Sequence, residues 1–336
     1  MIFLRKILFP FAVLYGWIIQ LRNFLFDQGF LKSYAFDLPV IAVGNLSVGG
    51  TGKTPQIEYL IRLLSPRYKV ATLSRGYKRQ SEGFILADQT ATAAILGDEP
   101  FQFYQKFQNI AVAVDADRKN GIEKLLLLPG KPEVILLDDA FQHRKVKAGF
   151  YILLTAYGDL FYDDCMLPSG NLREGKKEVK RADVLIVTKC LPTISEKEQQ
   201  EIRTKAGAKS VFFSSIDYDD SVYSKGHSLK VTAIRNSEKL LVAGIAKPES
   251  FFSYLKSGND TILTFPDHHH FNEKDIADIK HQAAGRIIIT TEKDYVRMKD
   301  YFPAASLFYL PIRTSFISDG ETFDRLILDH VENFVV

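Results

Sequence analysis

Near the start of the chain, a cluster of residues has the types needed to hold a nucleoside triphosphate. Gly49, Gly50, Thr51 and Gly52 lead into Lys53 and Thr54 within the stretch NLSVGGTGKTP, residues 45–55. Glycines let backbone N–H groups approach phosphate oxygens. A lysine at this spacing reaches the β- and γ-phosphates, and the next hydroxyl takes Mg2+. The common spacing G-x-x-x-x-G-K-T asks for glycine where this chain has Ser47. The departure is offset by context, because an apolar run precedes the turn and an amphipathic one, IEYLIRLL, follows it.

Such a loop needs an acidic partner for the metal. VILLDDAFQHR, residues 134–144, supplies Asp138 and Asp139 at what should be the carboxyl end of a buried strand. In a parallel sheet that end faces the crevice that also holds the phosphate loop. Carboxylates there bind Mg2+ directly or through water. Two adjacent aspartates point differently, so one is expected to ligate while the other orients water or a neighbour. Together the two segments predict ATP and Mg2+ as cofactors, without saying what receives the phosphate.

The elements that must position these groups alternate. Short apolar runs at 39–43, 69–77, 109–115, 132–140, 150–156 and 182–189 read as strands, with helical stretches such as 54–66 and 98–107 among them. Most are apolar throughout, as strands buried on both faces should be. Beyond a polar helix near residue 195, further strands and helices follow to the end. The expected architecture is α/β, with a mostly parallel sheet in a larger P-loop-like domain, a second, smaller α/β domain and an N-terminal membrane-associated helix. The expected spans are 1–26 for that helix, 27–190 for the phosphate-loop domain and 191–336 for the smaller domain.

A net charge of +3 over 336 residues asks for no polyanion, so no nucleic-acid partner is expected. Two cysteines, Cys165 and Cys190, make no disulfide framework or metal spacing, and both read as small buried apolar residues. The N-terminus differs from the rest. Its uninterrupted apolar run, residues 7–19, is short of the roughly 20 residues that span a bilayer. No small-residue cleavage site follows, and its aromatics are flanked by Arg5, Lys6 and Arg22. That pattern suits an interfacial helix, peripheral or a single anchor.

Seven segments then make the reading specific: GNLSVGGTGKTP, SRGY (74–77), GDEP (97–100), DDAFQHR (138–144), NLRE (171–174), FPDHHHF (265–271) and TEKD (291–294). In order and rough spacing they resemble the tetraacyldisaccharide 4'-kinase family of lipid A biosynthesis, over the chain to about residue 312. That family also lacks the first loop glycine. The resemblance implies transfer of the γ-phosphate of ATP to the 4'-hydroxyl of a tetraacylated glucosamine disaccharide 1-phosphate, at the cytoplasmic face of the inner membrane. It implies that both domains are α/β/α, and that a lipid disaccharide and the membrane surface are the partners. It also implies Asp98 as the catalytic carboxylate and His268 as its partner, with His269 taking that role if the register shifts by one. Arg75, Tyr77, Arg118, His143, Asn171, Arg173 and Glu174 are implied as substrate-binding or supporting positions. Lys247 departs from the family's usual residue there.

A competing reading is a membrane-associated regulatory P-loop ATPase. Such proteins carry a second lysine early in the loop, where this chain has Ser47. Asp98 has a purely structural alternative as the N-cap of the helix that follows it.

Overall fold

The computed structural model describes residues 7–267 and 269–335. The chain forms two compact units, one from the N-terminal side to Ile216 together with Thr314 onward, the other Asp217–Arg313.

The first unit is built on a nine-stranded sheet. Helix α1 (Phe9–Asp27) precedes β1 (Val40–Asn45), α2 (Lys53–Leu64), β2 (Val70–Ser74), β3 (Ile85–Leu86), α3 (Ala93–Leu96), α4 (Asp98–Lys106), β4 (Ala111–Val114), α5 (Arg118–Leu126), β5 (Val134–Asp138), β6 (Phe150–Ala156), β7 (Val184–Thr188), α6 (Glu196–Ala206) and β8 (Val211–Tyr218). The second unit carries β9 (Ser221–Ser224), β10 (His227–Lys230), α7 (Val231–Ile234), β11 (Leu240–Ala243), α8 (Glu249–Leu255), β12 (Thr261–Thr264), α9 (Glu273–Ala283), β13 (Ile288–Thr291), α10 (Glu292–Met298) and β14 (Leu307–Leu310). Strand β15 (Ile312–Phe316) returns the chain to the first unit, and α11 (Gly320–Val335) ends it.

In the first sheet the order is β15-β8-β7-β6-β1-β5-β2-β4-β3. Every pair from β8 to β4 is parallel; at one edge the short strand β3 runs against β4, and at the other β15 runs against β8, where Ile317 N donates to Phe213 O and Asp219 N to Pro311 O. β1, β2, β5 and β7 are buried along their whole length, as their unbroken apolar runs predict. One face packs on Ile57, Leu60, Ile61 and Leu64 of α2 and on Phe323, Ile327 and Val331 of α11. The other packs on Ile122 and Leu125 of α5. The chain steps from β5 over β1 to β6, so the strand order reverses beside β1. The crevice at the carboxyl ends there is where α/β sheets take ligands.

The second unit has its own six-stranded sheet, β10-β9-β14-β13-β11-β12, parallel from β14 to β12. Apolar clusters cover it on both faces, one with Phe251 and Leu255 of α8, the other with Ile276 and Ile279 of α9.

The boundary expected at 190/191 falls inside the first unit. The polar helix behind that expectation is α6, which turns Gln199, Ile202 and Ala206 inward and leads to one more strand of the same sheet. Its polarity suggests the opening of a new domain but marks only a solvated face. The last residues likewise belong to the first unit, because α11 fills its core. Of the two cysteines, Cys190 is buried as expected and burial pushes its thiol up to about 12; Cys165, in a loop, is exposed.

Candidate active site

The glycine turn joins β1 to α2. Gly49 (φ 118°) and Gly52 (φ 83°) stand in the left-handed region that glycine occupies without strain. Gly52 caps α2 without a side-chain bond, leaving the first amides of that helix available to an anion. Lys53 and Thr54 are its first two residues. The Thr188 hydroxyl, at the end of β7, donates to Thr51 O at 2.8 Å and pins the turn to the sheet.

The first half of the turn is held by NLRE. Val48 N donates to Asn171 O at 2.8 Å, Arg173 N donates to Leu46 O at 2.7 Å, and Ser47 bridges Leu172. This short antiparallel pairing keeps Ser47 extended, so no glycine is needed there. Asn171 is held in turn by Asp164, whose Oδ2 accepts its N–H at 3.1 Å. Gly44 is a different case: a β-carbon there would lie 2.6 Å from Cβ of Phe141, so DDAFQHR packs directly on β1.

Asn45, the last residue of β1, is the hub. Lys53 Nζ lies 3.2 Å from its Oδ1 and 3.7 Å from Asp139 Oδ1. Arg173 grips both Asp139 oxygens, at 2.8 and 3.2 Å, and bonds Asn45 through its carbonyl and its side chain. Gln142 Nε2 donates to Asn45 O at 3.0 Å.

The paired aspartates diverge. Asp138 ends β5 inside the sheet, 3.3 Å from the Ser74 hydroxyl. Burial, with Asp139 beside it, pushes its carboxyl up to about 6. Glu99 adds to that push, which places GDEP close to the aspartates. Asp139 sits in the left-handed region at φ 48°, an uncommon conformation for a side-chain residue that recurs at functional sites. Burial alone would raise it, but Lys53 and Arg173 outweigh that and hold it at about 2. One carboxyl sits beside a hydroxyl; the other is committed to a lysine and an arginine.

Asp98 is not the cap of its helix. Gly97 is, and Asp98 is the first residue of α4. A β-carbon on Gly97 would lie 3.1 Å from Tyr77 O, so GDEP packs against SRGY. The helix itself is fixed by Glu58, a carboxylate of α2 that is only 1% exposed. Glu58 takes Gln102 Nε2 at 2.9 Å, Lys106 Nζ at 2.7 Å and Arg62 Nη2 at 2.8 Å. The helix opening with Asp98 is thereby tied to the one opening with Lys53.

A second cationic patch adjoins. Arg118 is buried, donates to Asp115 O at 2.9 Å and Asp138 O at 3.1 Å, and is drawn down to about 10 by burial. The exposed Arg75 lies near enough to lower it further. Burial, then repulsion from Arg118, drops His143 to about 4, so its imidazole is neutral near pH 7. Arg118 Nε and His143 Nε2 are buried without a partner. Glu174 is buried beneath Arg173, 2.5 Å from Arg181 and 3.3 Å from Asn23.

The expected Lys53, Thr54, Asp138, Asp139, Arg173 and Arg118 therefore gather at one sheet edge, with SRGY and GDEP beside it. His268 lies outside the described residues. Its neighbour His269, in the second unit, pairs with Asp275 at 2.8 Å and stacks on Phe265. Lys247 is exposed. Sequence reading gave no role to Asn45 and Gln142, although both lie within quoted motifs, and it missed Glu58, which lies in none. It also missed Lys189, which follows β7 with φ 59° and brings Nζ to 3.7 Å from where a β-carbon on Gly50 would stand. The signal available for it was a cation directly after a buried strand.

The sequence profile of the family described as Tetraacyldisaccharide-1-P 4'-kinase matches residues 4–332. A tetraacyldisaccharide 4'-kinase of Flavobacterium psychrophilum is 64% identical, covering 98% of this chain and 98% of the relative. One of Bacteroides thetaiotaomicron is 42% identical, covering 98% and 93%. The crystal structure of LpxK from Aquifex aeolicus in complex with ATP superposes with a TM-score of 0.79 at 32% identity, over 98% of this chain and 99% of that one.

Proposed function

The chain belongs to the tetraacyldisaccharide-1-P 4'-kinase family, and from that premise we propose how its residues divide the work. It is an ATP-dependent lipid kinase of lipid A biosynthesis that phosphorylates the 4'-hydroxyl of a tetraacylated disaccharide 1-phosphate. The regulatory ATPase reading is not favoured. The observation that carries the division of roles is the meeting of Lys53, Asn45, Asp139 and Arg173 at the carboxyl edge of the first sheet.

Phosphoryl transfer asks the protein mainly for positioning and charge neutralisation. The amides of Gly49 to Thr54 cradle the phosphates, and Lys53 leaves Asp139 to neutralise the β/γ charge. Lys189 adds a second cation over the same loop. Mg2+ fits Asp138 and the Thr54 hydroxyl, since Asp138 is a buried carboxyl beside a hydroxyl rather than a cation. Bound there, the ion would supply charge neutralisation at the phosphates. Asp139 holds Arg173 and Lys53 in place. Asp98 accepts the proton of the attacking hydroxyl. His268 takes the role of its partner on the strength of the resemblance alone. Arg75 and Arg118 offer the acceptor's phosphate a cationic, partly desolvated seat, with the neutral His143 beside it and Tyr77 at its rim.

Helix α1 supports membrane contact. Ile7, Phe9, Phe11, Leu14, Trp17, Ile18, Leu21 and Phe24 are each more than half exposed. Covering the exposed half of such side chains gains about 1 kcal/mol apiece, roughly 8 in all. That exceeds the roughly 5.5 kcal/mol of a single myristoyl anchor. Helix α1 is long and apolar enough to cross a membrane, but Tyr15, Arg22 and Asn23 bond the first unit, which favours a helix lying in the interface. The face involved is cytoplasmic, where ATP is supplied.

The test is incubation of the purified chain with labelled ATP, Mg2+ and the disaccharide 1-phosphate lipid in detergent. A bisphosphorylated product is expected. ATP hydrolysis without any transfer to lipid would return the regulatory reading.

A further inference from the structure

We propose that helix α1 is a positioning element of the phosphoryl-transfer site, acting through residues 142–144 and 173–174, in addition to seating the protein on lipid. The inference rests on the kinase reading above. The helix turns small and polar residues to the protein and large apolar ones away. Ala12, Gly16 and Asn23 are buried, while the large apolar side chains face out.

The inward polar groups reach the site's own supports. The Tyr15 hydroxyl donates to Arg173 O at 3.1 Å. Arg22 Nη2 donates to Gln142 O at 2.6 Å, and Gln142 in turn bonds Asn45. Arg22 and Asn23 both reach Glu174, at 3.6 and 3.3 Å. Arg144 donates to Asn23 O at 2.9 Å and pairs with Asp27 at 2.5 Å, and its guanidinium lies over Phe26. Tyr15 is thus one residue from the guanidinium that grips Asp139, and Arg22 is one residue from the carbonyl of Asn45.

An anchor alone does not need these bonds. Apolar contact by Ala12, Gly16 and Ile19 would dock the helix but leave it free to slide and rotate. Directional hydrogen bonds fix its register, and with it the two loops. Glu174 makes this strict. It is fully buried, and burial pushes its carboxyl up. Among the described residues Arg22, Asn23 and Arg181 surround it; losing Arg22 leaves a buried carboxylate undersatisfied and pushes the loop to move. A shift of about 1 Å at Arg173 breaks a two-bond grip on Asp139 and misplaces the reacting groups.

The test uses the full chain with Tyr15→Phe and Arg22→Gln, singly and together; both leave the outward apolar face intact. On lipid acceptor dispersed in detergent, the double variant should lose about tenfold in kcat, with the lipid KM unchanged. Its affinity for Mg-ATP, measured by direct titration, should fall severalfold. Sedimentation with anionic phospholipid vesicles should match wild type. Arg22→Lys, which keeps a cation for Glu174, should restore most of the turnover lost in Arg22→Gln. Wild-type kcat per folded molecule together with wild-type ATP affinity overturns the proposal. So does a loss that only tracks a lower melting temperature. A wild-type chain that makes no bisphosphate counts against the kinase reading instead, and the ATP titrations of the same variants still decide this one.

Discussion

Each unit has parallel strands that end at a loop-bearing edge, and the two edges are finished differently. In the first, polar atoms are left waiting: Thr51 Oγ1, Arg118 Nε, Arg173 Nε and His143 Nε2 are buried without partners. In the second, Thr290 Oγ1 is likewise buried without a partner among the described residues, but the edge's carboxylate is spent within the unit. Asp294 of TEKD is fully buried and takes Gly244 N at 2.8 Å and the Thr291 hydroxyl at 2.7 Å, with Arg297 3.5 Å away. Burying polar atoms without partners costs free energy, so an edge that tolerates it is shaped for a ligand that supplies them. An edge that spends its carboxylate on its own backbone is shaped for stability. The contrast explains why GGTGKT and TEKD, which both follow apolar strands, carry different duties.

The contrast breaks most visibly at Lys53. Lys53→Ala should lower kcat by about 10³-fold while the melting temperature stays near wild type, because the lysine serves the ligand and not the fold. A large stability loss would show that the first edge is structural after all. Asp98→Ala should cost roughly 10²-fold in kcat and leave ATP affinity near wild type in direct titration; normal turnover removes Asp98 from the chemistry. Asp294→Ala probes the other edge. It strands Gly244 N and Thr291, so unfolding free energy should fall by about 2–4 kcal/mol in urea, while kcat per folded molecule stays close to wild type. Lost turnover without lost stability would erase the distinction between the edges.

The smallest effect is on pH. His143 titrates at about 4 when folded and near 6.5 when unfolded. As pH falls the unfolded chain takes the proton first. Stability is therefore full above pH 6.5 and drains between 6.5 and 4, by at most about 1.4 kcal/mol per pH unit. His143→Gln should flatten that part of the urea-midpoint profile. An unchanged profile would mean that the imidazole is not held neutral.

Much of the first edge was legible in the sequence because its chemistry is local. GGTGKT and the paired aspartates each declare a role by residue type, and the apolar runs before them declare buried parallel strands. What stayed hidden is what the fold brings together from afar. Asn45 and Arg173 are far apart along the chain, and nothing in either neighbourhood announces that they bond. Ser47 looked like a departure until its pairing with Leu172 showed why glycine is unnecessary there. The domain boundary slipped because a polar helix that opens a new domain and one that covers the same sheet share a composition. The opposite characters of Asp138 and Asp139 were half visible, since adjacent residues on a strand end point apart; only the cations around Asp139 decide which is which.

Helix α11 gives the chain an order of assembly. Phe323, Ile327 and Val331 stand in the same core as Ile57 and Ile61 of the helix behind the glycine turn. During synthesis the apolar first helix leaves the ribosome early, yet that core has no lid until residues 320–335 emerge. At roughly 5–20 residues per second the gap is tens of seconds. Through that interval a greasy helix and an open hydrophobic face coexist, so early capture of the nascent helix by the bilayer would keep the unfinished nucleotide-binding half from aggregating.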